Sequence, residues 1–255
     1  MIVCLVVLAV GQSQEYPLIL AGNRDEFHAR PTQKAHWWSD KPNIVGGRDL
    51  QAGGTWLALH RDGRYAAVTN FRDAEPVSPG FRSRGHLVTE FLESDQPPLR
   101  YLEAIDGTAY AGFNLIVGDI NNAAFLSNRD GRPRSLPAGL YGLSNELLDG
   151  PWDKVRRSKE ALAELLARNT ANETTLLRLL DDRRKGPIEE VDSSSLGFAK
   201  AHAITAPFIV MPDYGTRCST VVLADSSGKW RMVERRFDPH GMSTGDSRFT
   251  FATRP

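Results

Sequence analysis

Apolar runs occur in pairs along the chain. CLVVLAV is followed by the polar GQSQE and then by YPLILAGN, and GTWLALH is joined to RYAAVTNF by RDG. Short apolar runs separated by turn residues are typical of β-hairpins, and runs with few polar positions are typical of strands covered on both faces. Two further hairpins are predicted from FNLIVGD with AAFLSNRDG and from STVVLAD with KWRMVERRF, and SRFTFA predicts a closing strand.

Helical periodicity falls between these hairpins. It predicts four helices, at 84–94, 98–105, 151–168 and 172–184. Asn172 is the candidate N-cap of the last helix. The stretch 186–207 is rich in Ser, Gly and Pro and predicts a long loop or lid. Strand hairpins interrupted by blocks of helices predict an α+β fold in which helices cover antiparallel sheet.

The composition of the chain narrows the range of possible functions. Lysine plus arginine equals aspartate plus glutamate at 31 each, so no net charge attracts nucleic acid or an anionic membrane. The two cysteines lie 214 positions apart without a CxxC pair, and no HExxH occurs, so neither a disulfide framework nor a metal site is indicated. We expect no cofactor, a small-molecule partner and a reducing, cytoplasmic location.

The apolar opening does not predict a secretory signal or a membrane span. It lacks a basic segment in front, and its ten residues are too few to cross a bilayer. We interpret the run from Cys4 onward as a strand of the mature protein.

Polar side chains cluster where the predicted strands end. Asn23, Arg24, Asp25 and Glu26 follow the strand that returns from Cys4. Asn70 ends a later strand, Asn145 precedes a helix, and Arg217 begins another strand. A thiol can act as a nucleophile, and side-chain amides can donate hydrogen bonds to an oxyanion. Guanidinium groups can bind a carboxylate or the leaving group. Each residue also has an ordinary structural interpretation, as a packed thiol, a turn residue, a cap or a surface cation.

Aromatic residues near these strand ends are candidates for an apolar acyl pocket. They are Phe27, Trp37, Trp38, Trp56 and Phe71. Such residues occur more often simply in a core. His28, beside the NRDE segment, is a candidate for haem binding or proton transfer, although a loop histidine is the more common outcome.

The blocks ILAGNRDEFHARPT, GGRDLQAGGTWLALHRDGRYAAVTNFRD, GFNLIVGD, YGLSNELLDGPWDKV and PDYGTRCSTVVL resemble the NRDE protein family, the transport and Golgi organisation protein 2 family. That family in turn resembles N-terminal nucleophile hydrolases of the choloylglycine hydrolase and penicillin acylase type. The resemblance covers nearly the whole chain and implies one domain over 1–255 with a four-layer αββα sandwich.

The resemblance also implies roles for individual residues. Cys4 matches the nucleophile and Asn70 the oxyanion donor, and the other catalytic positions are Arg24, Asp25, Asn145 and Arg217. In the hydrolases two residues separate the catalytic Arg and Asp, as RxxD, whereas here Arg24 and Asp25 are adjacent. Asn23 or Glu26 is therefore an alternative candidate for the role of the Arg or of the Asp. We expect the substrate-binding residues to be Asn23, Glu26, Phe27 and Phe71.

Two function classes follow. The first is a cysteine amidohydrolase that cleaves the C–N bond of a small acylated molecule. The second is a non-catalytic carrier or chaperone that uses the same pocket for haem, a lipid or acyl-CoA; the family's assignments include haem trafficking.

The first class needs the α-amine of Cys4 as the proton acceptor, because a terminal amine has a pKa near 8. Met1, Ile2 and Val3 precede Cys4. We expect a mature terminus at Cys4, through translation that begins at position 3 or through self-cleavage.

Overall fold

Two antiparallel sheets make up most of the molecule. The computed structural model describes residues 4–72, 80–191 and 197–253 of the chain. Residues 1–3, which we expect to be absent from the mature protein, lie outside these ranges. The strands of the first sheet are β1 (Cys4–Val10), β2 (Leu18–Phe27), β10 (Gly139–Leu143), β11 (Tyr214–Ala224), β12 (Lys229–Phe237) and β13 (Ser243–Ala252). Their order is β10-β1-β2-β11-β12-β13.

The second sheet has seven strands in chain order. They are β3 (Thr32–Trp37), β4 (Ile44–Asp49), β5 (Leu57–His60), β6 (Tyr65–Asn70), β7 (Phe113–Gly118), β8 (Ala123–Ser127) and β9 (Arg134–Leu136). All of the four predicted hairpins are present, as β1–β2, β5–β6, β7–β8 and β11–β12. The turn of β5–β6 needs Gly63, whose φ of 92° is in the left-handed region.

Helices cover the outer face of each sheet. They are α1 (Gly85–Glu93), α2 (Pro98–Glu103), α3 (Asp153–Ala167), α4 (Glu173–Leu180) and α5 (Phe198–Ala203). The helices α1 and α2 pack on the seven-stranded sheet, and α3 and α4 pack on the six-stranded sheet. The result is the predicted four-layer αββα arrangement. None of the helices in the described ranges is long and apolar enough to span a membrane.

The strand sequences are apolar because most strands are covered twice. In β1, Val6 and Leu8 pack between the sheets, whereas Val7 and Ala9 face the helices. Even-numbered residues of β2 such as Leu20 likewise face the space between the sheets, and odd-numbered residues face the helices. This alternation decides where the polar residues at the strand ends point.

The predicted helices occur at the expected places, with shorter ends. Asn172 caps α4, since its side chain accepts from the main-chain N–H groups of Thr174 and Thr175. The expectation of a loop across 186–207 needs correction. The short helix α5 occupies part of it, because Ala201 and its neighbour Ile204 are buried.

Candidate functional site

A cavity of about 390 Å³ lies at one end of the space between the sheets. Its polar lining residues include Cys4, Arg24, Glu26, Asn70, Cys218 and Glu234. They come from five strands, because Cys4 begins β1, Arg24 and Glu26 end β2, Asn70 ends β6, and β11 and β12 supply the other two. Strand ends from both sheets therefore bring these residues to one place.

The thiol of Cys4 lies beside Arg24 in a row across three strands. Cys4 of β1 is directly opposite Arg24 of β2, and Arg24 is directly opposite Cys218 of β11. Residues that are opposite each other in neighbouring strands point to the same face. Arg24 thus lies between two buried cysteines in this row on the cavity wall, and both cysteines are free.

Strand alternation divides the four residues of the NRDE segment. Arg24 and Glu26 face the cavity, and Arg24 Nη2 lies 3.6 Å from Glu26 Oε2. Asn23 and Asp25 face the helices. Asn23 donates to the main-chain oxygens of Leu180 and Pro207. The Asn23 side chain is therefore turned away from the cavity, contrary to its expected place among the substrate-binding residues.

Asp25 lies immediately behind Cys4. Its carboxylate is fully buried, and Oδ1 accepts a hydrogen bond of 2.6 Å from Thr216 Oγ1. Its main-chain N–H is close enough to the Cys4 sulfur to favour the thiolate, so it lowers the pKa of Cys4. Arg24 and Asp25, although adjacent in the sequence, can therefore both act on Cys4. Arg24 does so from the cavity side of β2 and Asp25 from the helix side.

Asn70 and Asn145 are connected to Cys4 by hydrogen bonds. Ser144 Oγ donates to the Cys4 main-chain oxygen at 2.8 Å and to Asn145 Oδ1 at 3.2 Å. Asn145 Nδ2 donates to the main-chain oxygen of Asn70 at 2.7 Å. Asn145 itself is fully buried and does not line the cavity. Its contacts hold Asn70 in place, while Asn70 lines the cavity together with Cys4.

Arg217 does not line the cavity, although we expected it to converge on the thiol. The ladder between β2 and β11 has a bulge between Thr216 and Cys218, with Arg217 as the extra residue. A bulge redirects a side chain. Arg217 Nη1 instead donates to the main-chain oxygens of Phe27, His28 and Arg30 at 2.9, 3.2 and 3.3 Å.

The expected aromatic contributors also lie elsewhere. Phe27 is 46% exposed at the end of β2 and packs edge-on against Tyr214, with ring centroids 5.3 Å apart. Phe71 is half-buried, and neither phenylalanine lines the cavity. Among the five aromatic candidates, Trp56 is the one that lines it. His28, in the connection after β2, donates from Nε2 to the main-chain oxygen of Met211 at 3.0 Å.

Burial keeps the two thiols protonated at neutral pH. Desolvation raises the pKa of Cys4 to about 12, and the Asp25 carboxylate adds to this rise. The Asp25 N–H and the Arg24 guanidinium act in the opposite direction. The pKa of Cys218 is also raised, first by burial and then by Glu234. A nucleophilic Cys4 therefore requires a nearby proton acceptor.

Arginine is the dominant charge on the cavity wall. Arg24, Arg30, Arg48, Arg82 and Arg84 all line it. Four of them form ion pairs, as Arg24 with Glu26, Arg30 with Asp49, Arg48 with Asp40, and Arg82 with Glu90. Glu26 lies 3.6 Å from both Arg24 and Arg30. This wall suits a ligand that carries an anionic or strongly accepting group.

A family model matches residues 3–239, which include every residue of the site described above. It is the model of Transport and Golgi organisation 2. The chain belongs to this family.

Relatives in this family are similar over most of their length. The Bos taurus homolog of Transport and Golgi organization protein 2 is 36% identical over 239 residues, covering 86% of each chain. The Homo sapiens homolog is 33% identical over 252 residues, covering 91% of each chain. The Drosophila melanogaster protein of this name is 32% identical over 253 residues, covering 89% of each chain.

Solved structures show that this family shares the fold of N-terminal nucleophile hydrolases. The Caenorhabditis elegans ortholog of N-acylethanolamine-hydrolyzing acid amidase matches with a TM-score of 0.51 and 12% identity, covering 86% of this chain and 92% of its own. A mutant of conjugated bile acid hydrolase from Clostridium perfringens matches with a TM-score of 0.53 and 9% identity, covering 98% and 92%.

Three residues in or near the candidate site were not predicted from the sequence to contribute to it. Ser144 joins Cys4 to Asn145, and Glu234 accepts from the main-chain N–H of Ala35 at 2.7 Å while lining the cavity. Lys154, in the first turn of α3, is almost completely buried. A serine before a helix, a glutamate in a strand and a lysine in a first helical turn are ordinary in a sequence, so no local signal distinguished them.

Proposed function

We propose that this protein is a cysteine amidohydrolase of the N-terminal nucleophile type, acting on a small acylated molecule. The observation that carries the proposal is the position of Cys4: it begins β1 at the cavity wall, opposite Arg24 and linked through Ser144 and Asn145 to Asn70. The shared fold of the two amidohydrolases supports it.

In this mechanism the α-amine of Cys4 takes the proton of the thiol. The thiolate attacks the substrate carbonyl carbon, and the Asn70 side chain donates to the oxyanion that forms. The ammonium then returns the proton to the leaving nitrogen as the C–N bond breaks, which leaves a thioester on Cys4. Water hydrolyses the thioester, and the acid and the free thiol are regenerated.

The remaining site residues support these steps. Arg24 favours the thiolate, and in this mechanism the Asp25 carboxylate orients the amine. Asn145 holds Asn70, and Arg217 holds the connection after β2. Glu26 fixes Arg24 and Arg30 on the substrate side of the cavity. We also propose a cytoplasmic location, because two free, buried thiols suit a reducing compartment.

The arginine-lined wall favours a second candidate, a carrier for haem, a lipid or acyl-CoA, each of which carries acidic groups. Such a carrier would bind its ligand in the same cavity without covalent chemistry. Binding and acylation can be measured separately on one protein sample.

The test is to incubate the protein with a panel of N-acyl amides and to map adducts by mass spectrometry. We expect an acyl adduct on Cys4, its loss in Cys4→Ser, and its retention in Cys218→Ser. No adduct with any amide, together with tight binding of haem or acyl-CoA, would support the carrier instead.

A further inference from the structure

Lys154 is a buried cation that the mechanism above does not use. It is 1% exposed, and its Nζ donates to the main-chain oxygen of Ile204 at 3.1 Å. The Trp152 ring centroid lies 5.0 Å from Nζ. Among the described residues, Ile204 O is the one hydrogen-bond acceptor of this ammonium group. A buried ammonium group is costly unless a negative charge faces it, so the surroundings of Lys154 need a carboxylate.

Lys154 binds Ile204 O, and five residues later Ile209 N donates to Thr216 Oγ1, which in turn donates to Asp25. The buried carboxylate in this hydrogen-bonded region is that of Asp25. It is fully buried, Thr216 donates to its Oδ1, and its Oδ2 has no hydrogen-bond partner. Burial raises the pKa of Asp25, and the Lys154 ammonium is the charge that most opposes this rise. A buried carboxylate oxygen without a partner is unusual. It marks a position where a donor can bind between Asp25 and its neighbours.

Asp25 also acts on Cys4. Asp25 follows Arg24, which is directly opposite Cys4, and its negative charge raises the pKa of the Cys4 thiol. Burial lowers the pKa of Lys154, and two negative groups, the Asp25 carboxylate and the Cys4 thiolate, raise it again. Lys154, Asp25 and Cys4 are therefore electrostatically connected.

We infer that Lys154 is a positioning residue for Cys4: it compensates the charge of Asp25, so that the carboxylate can orient the Cys4 amine without holding a proton on it. This inference rests on the proposed function. A carboxylate alone beside an amine favours the ammonium form, which is no longer a base. The second positive charge offsets that effect and favours the free amine. The same charge favours the Cys4 thiolate.

Other charged groups around the pair are fixed by the same strands and helix. Arg24 and Glu26 of β2 act on both Cys4 and Asp25. Asp153 of α3 is engaged by Arg156 and Arg157. Glu234 of β12 acts on Cys218 of β11, and Cys4 also acts on Cys218. Arg217 of β11 is held by the connection after β2.

The test measures the rate of Cys4 alkylation by iodoacetamide in the chain that begins at Cys4, from pH 6 to pH 10. Peptide mass spectrometry separates Cys4 from Cys218. We expect Lys154→Met to displace the rate profile of Cys4 to higher pH by about one unit, so that the rate at pH 8 falls about tenfold. Lys154→Arg keeps the charge and should restore most of the rate.

A matched control separates charge from stability. Leu162 lies on the same helix, is fully buried and carries no charge, so Leu162→Ala should lower the melting temperature and leave the Cys4 profile in place. If Lys154→Met does not fold, Lys154→Gln removes the same charge and keeps a donor for Ile204 O. An unchanged Cys4 profile in a folded, neutral variant at position 154 would overturn the inference.

The readout is independent of any substrate. A displaced profile in a protein that acylates with no amide would leave the Lys154 assignment standing and refute the proposed hydrolase. Normal acylation with an unchanged profile would refute the assignment alone.

Discussion

Asn145 Nδ2 donates a hydrogen bond of 2.7 Å to the main-chain oxygen of Asn70, and this bond joins the two sheets at the cavity. Asn70 ends β6 of the seven-stranded sheet, whereas Asn145 follows β10 of the six-stranded sheet, which also contains Cys4. The bond therefore fixes the distance between the candidate oxyanion donor and the thiol, although Asn145 does not face the cavity.

Asn145→Ala should impair both stability and acylation. The change leaves the Asn70 main-chain oxygen without the Asn145 donor, while Ser144 keeps its bond to the Cys4 oxygen. The loss of one buried partner typically costs about 1–3 kcal/mol. We expect denaturant unfolding to show this loss and the acyl-adduct assay to show slower formation of the Cys4 thioester. Asn172→Ala is the matched control, because it removes the cap of α4 at about 1 kcal/mol and touches no site residue. Equal acylation in both variants would contradict the positioning role.

Asn70→Ala should affect the rate more than the stability. Its side chain lies at the cavity and is only half-buried. Removal of one oxyanion donor costs about 10²–10³ in rate. The measurement is the first-order rate of thioester formation on Cys4, with Asn121→Ala in the exposed turn before β8 as the control. A rate within about twofold of wild type would remove Asn70 from the mechanism.

The two arginines of the predicted site should have different effects. Arg24→Met removes the guanidinium that favours the Cys4 thiolate, so we expect the alkylation rate of Cys4 to fall at pH 8. Arg217→Met removes the guanidinium that holds the main-chain oxygens of Phe27, His28 and Arg30 together, so we expect chiefly a lower melting temperature. A larger loss of alkylation in Arg217→Met than in Arg24→Met would reverse this assignment.

The pH dependence of Cys4 follows from its raised pKa. In a chain that retains residues 1–3, the thiolate fraction should rise about tenfold per pH unit, because the pKa lies near 12. The iodoacetamide rate of Cys4 should therefore still rise about tenfold per unit at pH 10, whereas a free cysteine, with a pKa of about 8.5, is almost fully ionised there. A plateau of the Cys4 rate near pH 8 in that chain would contradict the desolvated environment.

The main features of the fold could be predicted because they depend on short-range patterns. Apolar runs with turn residues between them gave the four hairpins, and helical stripes gave α1 to α4. The strands β3, β4, β9 and β10 were not predicted. In β3, Gln33 and Lys34 are exposed, and β9 has only three residues, so neither segment has the continuous apolar pattern of a doubly covered strand.

The site was predictable only as a set of strand ends. Alternation places Arg24 and Asp25 on opposite faces of β2, which the hairpin pattern could indicate. The bulge at Arg217 depends on the register between β2 and β11, strands almost 200 residues apart along the sequence, and no local signal specifies it. The burial of Lys154 likewise depends on how α3 packs against the sheet.

The central claim is that Cys4 is a nucleophile activated by its own α-amine. The most direct measurement compares the rate of thioester formation with an N-acyl amide in a chain that begins at Cys4 and in a chain that retains Met1, Ile2 and Val3. Intact mass establishes each terminus and counts the acyl groups. We predict acylation of Cys4 in the first chain and none in the second, where the Cys4 nitrogen is an amide without a basic lone pair. Equal acylation of both chains would contradict the role of the amine, and acylation of neither would contradict the nucleophile itself.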